Sequence, residues 1–147
     1  MNRGLAPIWL CALLIGCGVF VTDDEVSRAT GPTGTVDAVL VERNAGATVD
    51  FIYVAHVVKK GGSLSEGTRV ARFYGARRND LAYGVNLRWK DASTLWLEFY
   101  TATRQTLERE VVPIGDLTVT VRLKPKTKDN KALPGGMLYN LERPLHE

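Results

Sequence analysis

The side chains that enzymes use for chemistry are few in this chain, and they are scattered. The two histidines, His56 and His146, lie far apart. His56 stands between apolar residues, without an acid or nucleophile beside it, as a buried core histidine does. The sequence contains no Gly-x-Ser-x-Gly nucleophile motif, no phosphate-binding glycine loop and no His-Glu-x-x-His zinc motif. We therefore predict a protein that is not an enzyme and that holds no metal or cofactor.

The cysteines and the charge exclude further classes of site. Cys11 and Cys17 both lie in the apolar N-terminal segment, so the chain after Cys17 has no thiol for a disulfide, a zinc site or a nucleophile. The net charge is only +3 at pH 7, and the basic residues are dispersed. This pattern argues against nucleic acid as a partner.

Polar side chains concentrate in residues 44–50 and 75–84, which antiparallel strands would bring to one end of the domain. The candidate ligand or partner residues there are Arg43, Asn44, Thr48, Arg77, Arg78, Asn79, Asp80 and Tyr83. Paired guanidinium groups suit carboxylate, phosphate or an acidic protein surface. The alternative is that Arg77 and Arg78 only pair with nearby acids. As a loop residue, Arg78 is expected to contribute little to stability.

Two aromatic residues form a second candidate site. On a predicted strand, Trp96 and Tyr100 point to the same outward side as Glu98. A strand face that is exposed to solvent rarely carries two large aromatic residues. Either they contact a partner, since aromatics are enriched at interfaces, or the chain's own tail covers them through Leu138 and Tyr139.

The elements that must position these residues are strands. Runs 36–43 and 51–58 are apolar on both faces and predict a central hairpin that is covered on both sides. Other strands are predicted at residues 68–74, 85–90, 95–100, 111–114 and 117–123. Short turns separate them. We expect an all-β fold, an antiparallel sandwich or barrel of six or seven strands, preceded by an N-terminal apolar signal or anchor helix.

Composition divides the chain into four parts. Residues 1–21 are predicted to be a signal peptide or membrane anchor, and the polar residues 22–34 a linker. The β domain is expected over residues 35–123. Residues 124–147 form a C-terminal tail that is expected to be partly docked.

The N-terminal segment carries a resemblance of its own. Leu5 to Val21 is uncharged and mostly apolar. Leu14-Ile15-Gly16-Cys17 resembles the lipobox of bacterial lipoproteins, which implies lipidation of Cys17. An uncleaved anchor and ordinary signal cleavage stay open. In every case Arg3 before the segment and the acidic residues 23–25 after it place the domain outside the cytoplasm.

The run Asp-Ala-Val-Leu-Val-Glu-Arg-Asn-x-Gly-Ala-Thr, within Gly34 to Thr48, resembles small uncharacterised bacterial envelope proteins. The resemblance implies no activity or catalytic residue. We expect a protein anchored in the bacterial cell envelope, with its domain on the periplasmic side. It would bind a membrane or envelope protein as an accessory subunit of a membrane complex. The alternative is a small envelope enzyme or ligand-binding protein that uses residues 44–50 and 75–84.

Overall fold

The computed structural model describes residues 22–44 and 49–143, and within these ranges the chain forms nine strands. They are β1 Thr22–Thr30, β2 Val36–Asn44, β3 Ile52–Lys59, β4 Thr68–Tyr74, β5 Asn86–Trp89, β6 Thr94–Glu98, β7 Arg104–Leu107, β8 Val111–Ile114 and β9 Leu117–Lys124. A 3₁₀ turn covers Leu64–Glu66, and helix α1 covers Met137–Glu142. None of the helices in these ranges has the length and apolar character needed to cross a bilayer.

The strands form two sheets, which confirms the all-β class. Sheet I has the order β1-β2-β3-β4-β7, and sheet II has the order β5-β6-β9-β8. Sheet I is antiparallel, whereas β6 and β9 of sheet II pair in parallel. The expectation of purely antiparallel pairing is therefore wrong. The parallel pair arises because β7 joins sheet I, so the chain leaves sheet II after β6 and returns to it at β8.

The two sheets share one hydrophobic core. Alternate residues of β2 and β3, such as Leu40 and Tyr53, pack with Leu95 and other residues of sheet II, and all three are fully buried. Val39 and Val58 face the opposite side of sheet I and are also buried, in a second and smaller cluster. The prediction that the central hairpin is covered on both faces is confirmed.

Two strands lie where the sequence predicts irregular chain. The expected linker, residues 22–34, contains β1, and residues 101–110, where the sequence predicts no strand, contain β7. Both are edge strands of sheet I, and Val26 is the only fully buried residue of β1. Edge strands carry polar side chains because only part of their surface meets the core. Their composition therefore resembles that of a loop, and the expected number of six or seven strands is too low.

The C-terminal segment is held by a buried carboxylate of β2. Glu42 Oε2 accepts hydrogen bonds from the Tyr53 hydroxyl at 2.7 Å and from the backbone N–H groups of Met137 at 2.8 Å and Leu138 at 3.3 Å. Burial, followed by the adjacent Glu42 carboxylate, raises the pKa of the Tyr53 hydroxyl. The carboxylate thus satisfies the first N–H groups of α1, which have no partner within the helix. The predicted anchor helix, residues 1–21, lies outside the described residues.

Candidate functional site

Described residues that lie in or beside the predicted loops come together at one end of the domain. The Gly75 N–H donates to the Phe51 carbonyl at 2.9 Å, and the Arg77 N–H donates to the Thr101 carbonyl at 2.8 Å. The C-terminal segment lies against the same connection, because the Tyr83 N–H donates to the carbonyl of Gly135 at 2.9 Å. This end of the domain is therefore partly covered by the chain itself.

Most predicted site residues of the 75–84 connection bind one another or the C-terminal segment. Arg77 donates to the Tyr83 hydroxyl at 2.8 Å, and its guanidinium carbon lies 4.5 Å from the centre of the Tyr83 ring. Asn79 accepts from two N–H groups of its own loop and donates to two carbonyls of the C-terminal segment. Asp80 pairs with Lys128. These contacts hold the connection in place.

Arg78 is half-buried rather than exposed. Its Nε donates to the Tyr83 carbonyl at 3.1 Å, and burial lowers the pKa of its guanidinium. Among the described residues, neither Arg77 nor Arg78 has an ion-pair partner. The expected pairing with acids is therefore wrong. The C-terminal segment packs beside Arg78, where the Asp129 N–H donates to the Arg78 carbonyl at 2.8 Å, and the expectation that Arg78 contributes little to stability stays a prediction.

The remaining loop residues lie elsewhere. Arg43 stands on the outer face of β2, where Asp23 of β1 accepts from Nε and from a terminal nitrogen, both at 2.6 Å. Asn44 ends β2. Thr48 and the predicted lipidation site Cys17 lie outside the described residues. Arg43 therefore lines a different cavity from Asn79 and Asp80.

Trp96 lies on the outer face of sheet II and is half-buried there. The ammonium groups of Lys124 and Lys90 lie 4.4 and 5.5 Å from the centre of its ring. Cover through Leu138 and Tyr139 is wrong, because Leu138 packs against the core between the sheets and Tyr139 is exposed. The two lysines supply the contacts to Trp96 instead.

Tyr100 lies closer to the C-terminal segment than Trp96 does. The Lys128 ammonium is 5.2 Å from the centre of the Tyr100 ring, and the Lys126 N–H donates to the Tyr100 carbonyl at 3.1 Å. Chain residues therefore contact both predicted aromatics, but through basic side chains and backbone rather than apolar ones.

The surroundings of Trp96 are cationic, and we call this surface the Trp96 face. It comprises Trp96 with Arg88, Lys90, Arg122 and Lys124. Arg88 and Arg122 lie opposite Trp96 on the neighbouring strands, where Arg88 is 3.7 Å from Glu98 and Arg122 pairs with Glu110. In the part of the chain that the structure describes, Lys90 and Lys124 have no ion pair. Positive charge therefore remains beside the indole.

The sequence did not indicate a polar cleft on the outer face of sheet I. A cavity of about 260 Å³ there is lined by Arg72, Tyr74, Arg104 and Thr106. The register of β3 and β4 shifts so that Arg69 lies opposite His56, and Arg72 opposite Val54. Residues three apart in a regular strand face opposite sides, whereas this irregularity turns both arginines outward. Alternation in the sequence therefore gives no signal for this cleft.

Other cavities lie at the two ends of the domain. One of about 580 Å³ lies at the end opposite the 75–84 connection and is lined by turns and the strand ends beside them, namely Thr33, Thr35, Lys59, Lys60, Ile114, Gly115, Asp116 and Leu117. One of about 250 Å³ lies between Asn79 to Leu81 and the C-terminal segment. Across residues 22–44 and 49–143, no group of three or more His, Cys, Asp or Glu side chains is placed to hold a metal ion.

Comparison with protein-family models, with curated proteins and with solved structures finds no match to this chain.

Proposed function

We propose that this chain is a non-enzymatic β-sandwich domain of the bacterial cell envelope, held at the membrane by its N-terminal segment. It acts on the periplasmic side as a partner-binding, accessory subunit of a membrane complex. The observation that carries the proposal is the position of Trp96, a large aromatic side chain on an outward sheet face among four cations. Tryptophan and arginine are the residues most enriched among those that dominate binding energy at interfaces.

The charge of the Trp96 face indicates the chemistry of the partner. Lys90 and Lys124 lie against the indole ring, and neither is within ion-pair distance of a carboxylate among the described residues, although Glu98 lies opposite Lys124. An acidic partner surface would pair with these ammonium groups while an apolar group covers the ring. Complementary charge of this kind speeds association and sets orientation. The partner is therefore a protein with an acidic patch around an apolar centre.

The start of β1 supports a partner within the membrane. β1 begins at Thr22, directly after the apolar segment Leu5 to Val21. If that segment stays in the bilayer, the first described strand follows it directly in the sequence. The domain is then confined to the membrane surface, within reach of the periplasmic parts of membrane proteins.

The intact mass of the membrane-extracted protein tests the anchor. A chain that begins at Cys17 and carries acyl groups supports lipidation, as the resemblance to the lipobox implies. Retention of residues 1–16 without acyl groups contradicts lipidation and supports an uncleaved anchor helix. A soluble chain that lacks the apolar segment altogether contradicts membrane attachment.

Substitution of Trp96 tests the proposed contact. Trp96→Ala should reduce the amount of co-purified membrane protein by at least about tenfold, because truncation of an aromatic anchor often costs 2 kcal/mol or more. The matched control is Tyr139→Ala, which removes an exposed aromatic from α1, outside the Trp96 face. This control should leave co-purification unchanged.

A charge-reversal variant distinguishes loss of the partner contact from loss of folding. Lys90→Glu reverses a charge beside the indole ring without removing a packed side chain, and it should also weaken co-purification. Circular dichroism checks that each variant is folded. Co-purification that survives both Trp96→Ala and Lys90→Glu in folded protein would overturn the proposal.

A further inference from the structure

The outer face of sheet I carries a cleft at β4 and β7. Arg72 lies opposite Thr106, and Tyr74 lies opposite Arg104. Arg72 and Arg104 are therefore diagonal neighbours across the strand pair, and the Cα atoms of such residues are roughly 7–8 Å apart. Two arginine side chains at this spacing can reach a small anion from both sides. The four residues line the cavity of about 260 Å³.

The arginines of this face fall into two groups. Arg28, Arg43 and Arg69 are each bonded to a carboxylate at 2.6 to 2.9 Å. Arg72 and Arg104 have no ion pair with any described residue. The cleft therefore contains two guanidinium groups whose charge the described protein does not neutralise.

A second cavity of about 130 Å³ adjoins the cleft, with Arg72 in the lining of both. His56 also lines this second cavity. Its Nδ1 atom is buried and has no hydrogen-bond partner among the described residues. Burial, followed by the charge of Arg69, lowers the pKa of His56, so the imidazole is neutral at pH 7. Because Arg72 lines both cavities, a ligand bound to Arg72 in the cleft would change the surroundings of this ring.

We propose that the cleft between Arg72 and Arg104 binds a phosphate dianion, either free or as the phosphomonoester of a larger molecule. The planar guanidinium group matches pairs of phosphate oxygens, and two such groups match the charge of a dianion. The hydroxyls of Tyr74 and Thr106 can donate to the remaining oxygens. The cavity is smaller than the roughly 300–1,000 Å³ of pockets for drug-sized ligands, which suits a single anionic group. This site is separate from the Trp96 face, which lies on the other sheet.

The test uses the full chain reconstituted in nanodiscs of phosphatidylcholine. Inorganic phosphate is titrated at pH 7.5 and constant ionic strength while NMR follows the ring signals of His56. A saturable shift is expected. Arg72→Gln and Arg104→Gln should each weaken the apparent affinity by at least about tenfold, equivalent to about 1.4 kcal/mol. The control Arg143→Gln removes an exposed arginine that contacts Tyr139 at the end of α1, outside the cleft and the Trp96 face, and should leave the affinity unchanged.

A second sample separates the two sources of phosphate. It contains nanodiscs in which phosphatidic acid replaces part of the phosphatidylcholine, without soluble phosphate. A His56 shift in this sample that Arg72→Gln removes assigns the site to a lipid head group, whereas a shift only with inorganic phosphate assigns it to soluble phosphate. Acetate at the same concentration should produce no shift. Absence of a saturable shift in both samples, or a shift that Arg72→Gln and Arg104→Gln both retain, overturns the proposal.

Discussion

Substitution of Glu42 tests how the C-terminal segment is held on the domain. The side chain is buried, and one oxygen, Oε2, accepts from Tyr53, Met137 and Leu138. Glu42→Ala removes this acceptor, whereas Glu42→Gln keeps an oxygen of the same reach and removes the charge. The two variants therefore separate the loss of hydrogen bonding from the loss of charge.

We expect Glu42→Ala to lower the free energy of unfolding by about 3 kcal/mol. The Tyr53 hydroxyl is fully buried, and leaving it without an acceptor costs about 1–3 kcal/mol. The Met137 N–H loses the same acceptor, and the one buried methylene group that is removed, Cγ, contributes about 0.8 kcal/mol more. The buried carboxylate no longer has to be desolvated, which offsets part of this sum. Glu42→Gln should lose only about 1 kcal/mol, because hydrogen bonds to a neutral acceptor are about half as strong.

Urea denaturation of the full chain measures the two losses, and amide hydrogen exchange locates them. The N–H groups of Met137 and Leu138 should exchange faster in Glu42→Ala than in Glu42→Gln, because the first turn of α1 loses its acceptor. Equal stability of the two variants, or unchanged exchange at both amides, would refute the reasoning that Glu42 anchors this segment.

Two further predictions concern His56 and Gly84. Burial, followed by the charge of Arg69, lowers the pKa of His56 in the folded protein below its ordinary 6.5. The unfolded chain therefore binds the proton more readily than the folded protein does. The free energy of unfolding keeps its full value above pH 6.5 and decreases as the pH falls through the pKa of His56 in the folded protein. His56→Gln should flatten this dependence in thermal denaturation between pH 5 and 7.5, and an unchanged slope would contradict it. Gly84 has φ 129°, and a Cβ there would lie 2.5 Å from Met137 Sδ, so Gly84→Ala should cost at least about 2 kcal/mol. Gly115→Ala, at φ 57° with open space around it, should cost about 1 kcal/mol, and equal losses would contradict close packing of Met137 on Gly84.

The strands that bury an apolar face could be predicted from the sequence, and the edge strands could not. The seven predicted strands are all present, each within two residues of its predicted ends, and the central hairpin is buried on both sides as expected. The sequence of β1 did not indicate a strand, because its charged side chains are paired with residues of β2 that are distant in the sequence. Asp23 pairs with Arg43, and Arg28 pairs with Asp37, both on β2. Such pairing depends on register, which composition does not encode.

Candidate site residues show a similar division. The sequence placed Arg77 and Tyr83 in one loop cluster, and the structure brings these two side chains into contact. The sequence did not show that Asn79 and Asp80 bind the C-terminal segment, since those contacts join residues about fifty positions apart. The sequence also could not identify Arg72 as a residue of the outer cleft, because a register shift decides which face of the sheet it occupies.

The parallel pairing of β6 with β9 makes sheet II depend on the last strand of the domain. β1 to β4 pair with their neighbours in sequence, so this part of sheet I can form once residue 74 is available. In sheet II, β8 and β6 are joined only through β9, which ends at Lys124. Until then the apolar side of the nascent sheet, with Leu40, Tyr53 and Phe73, has no complete cover. A chain truncated before residue 117 therefore leaves the apolar side of sheet I uncovered and is prone to aggregate.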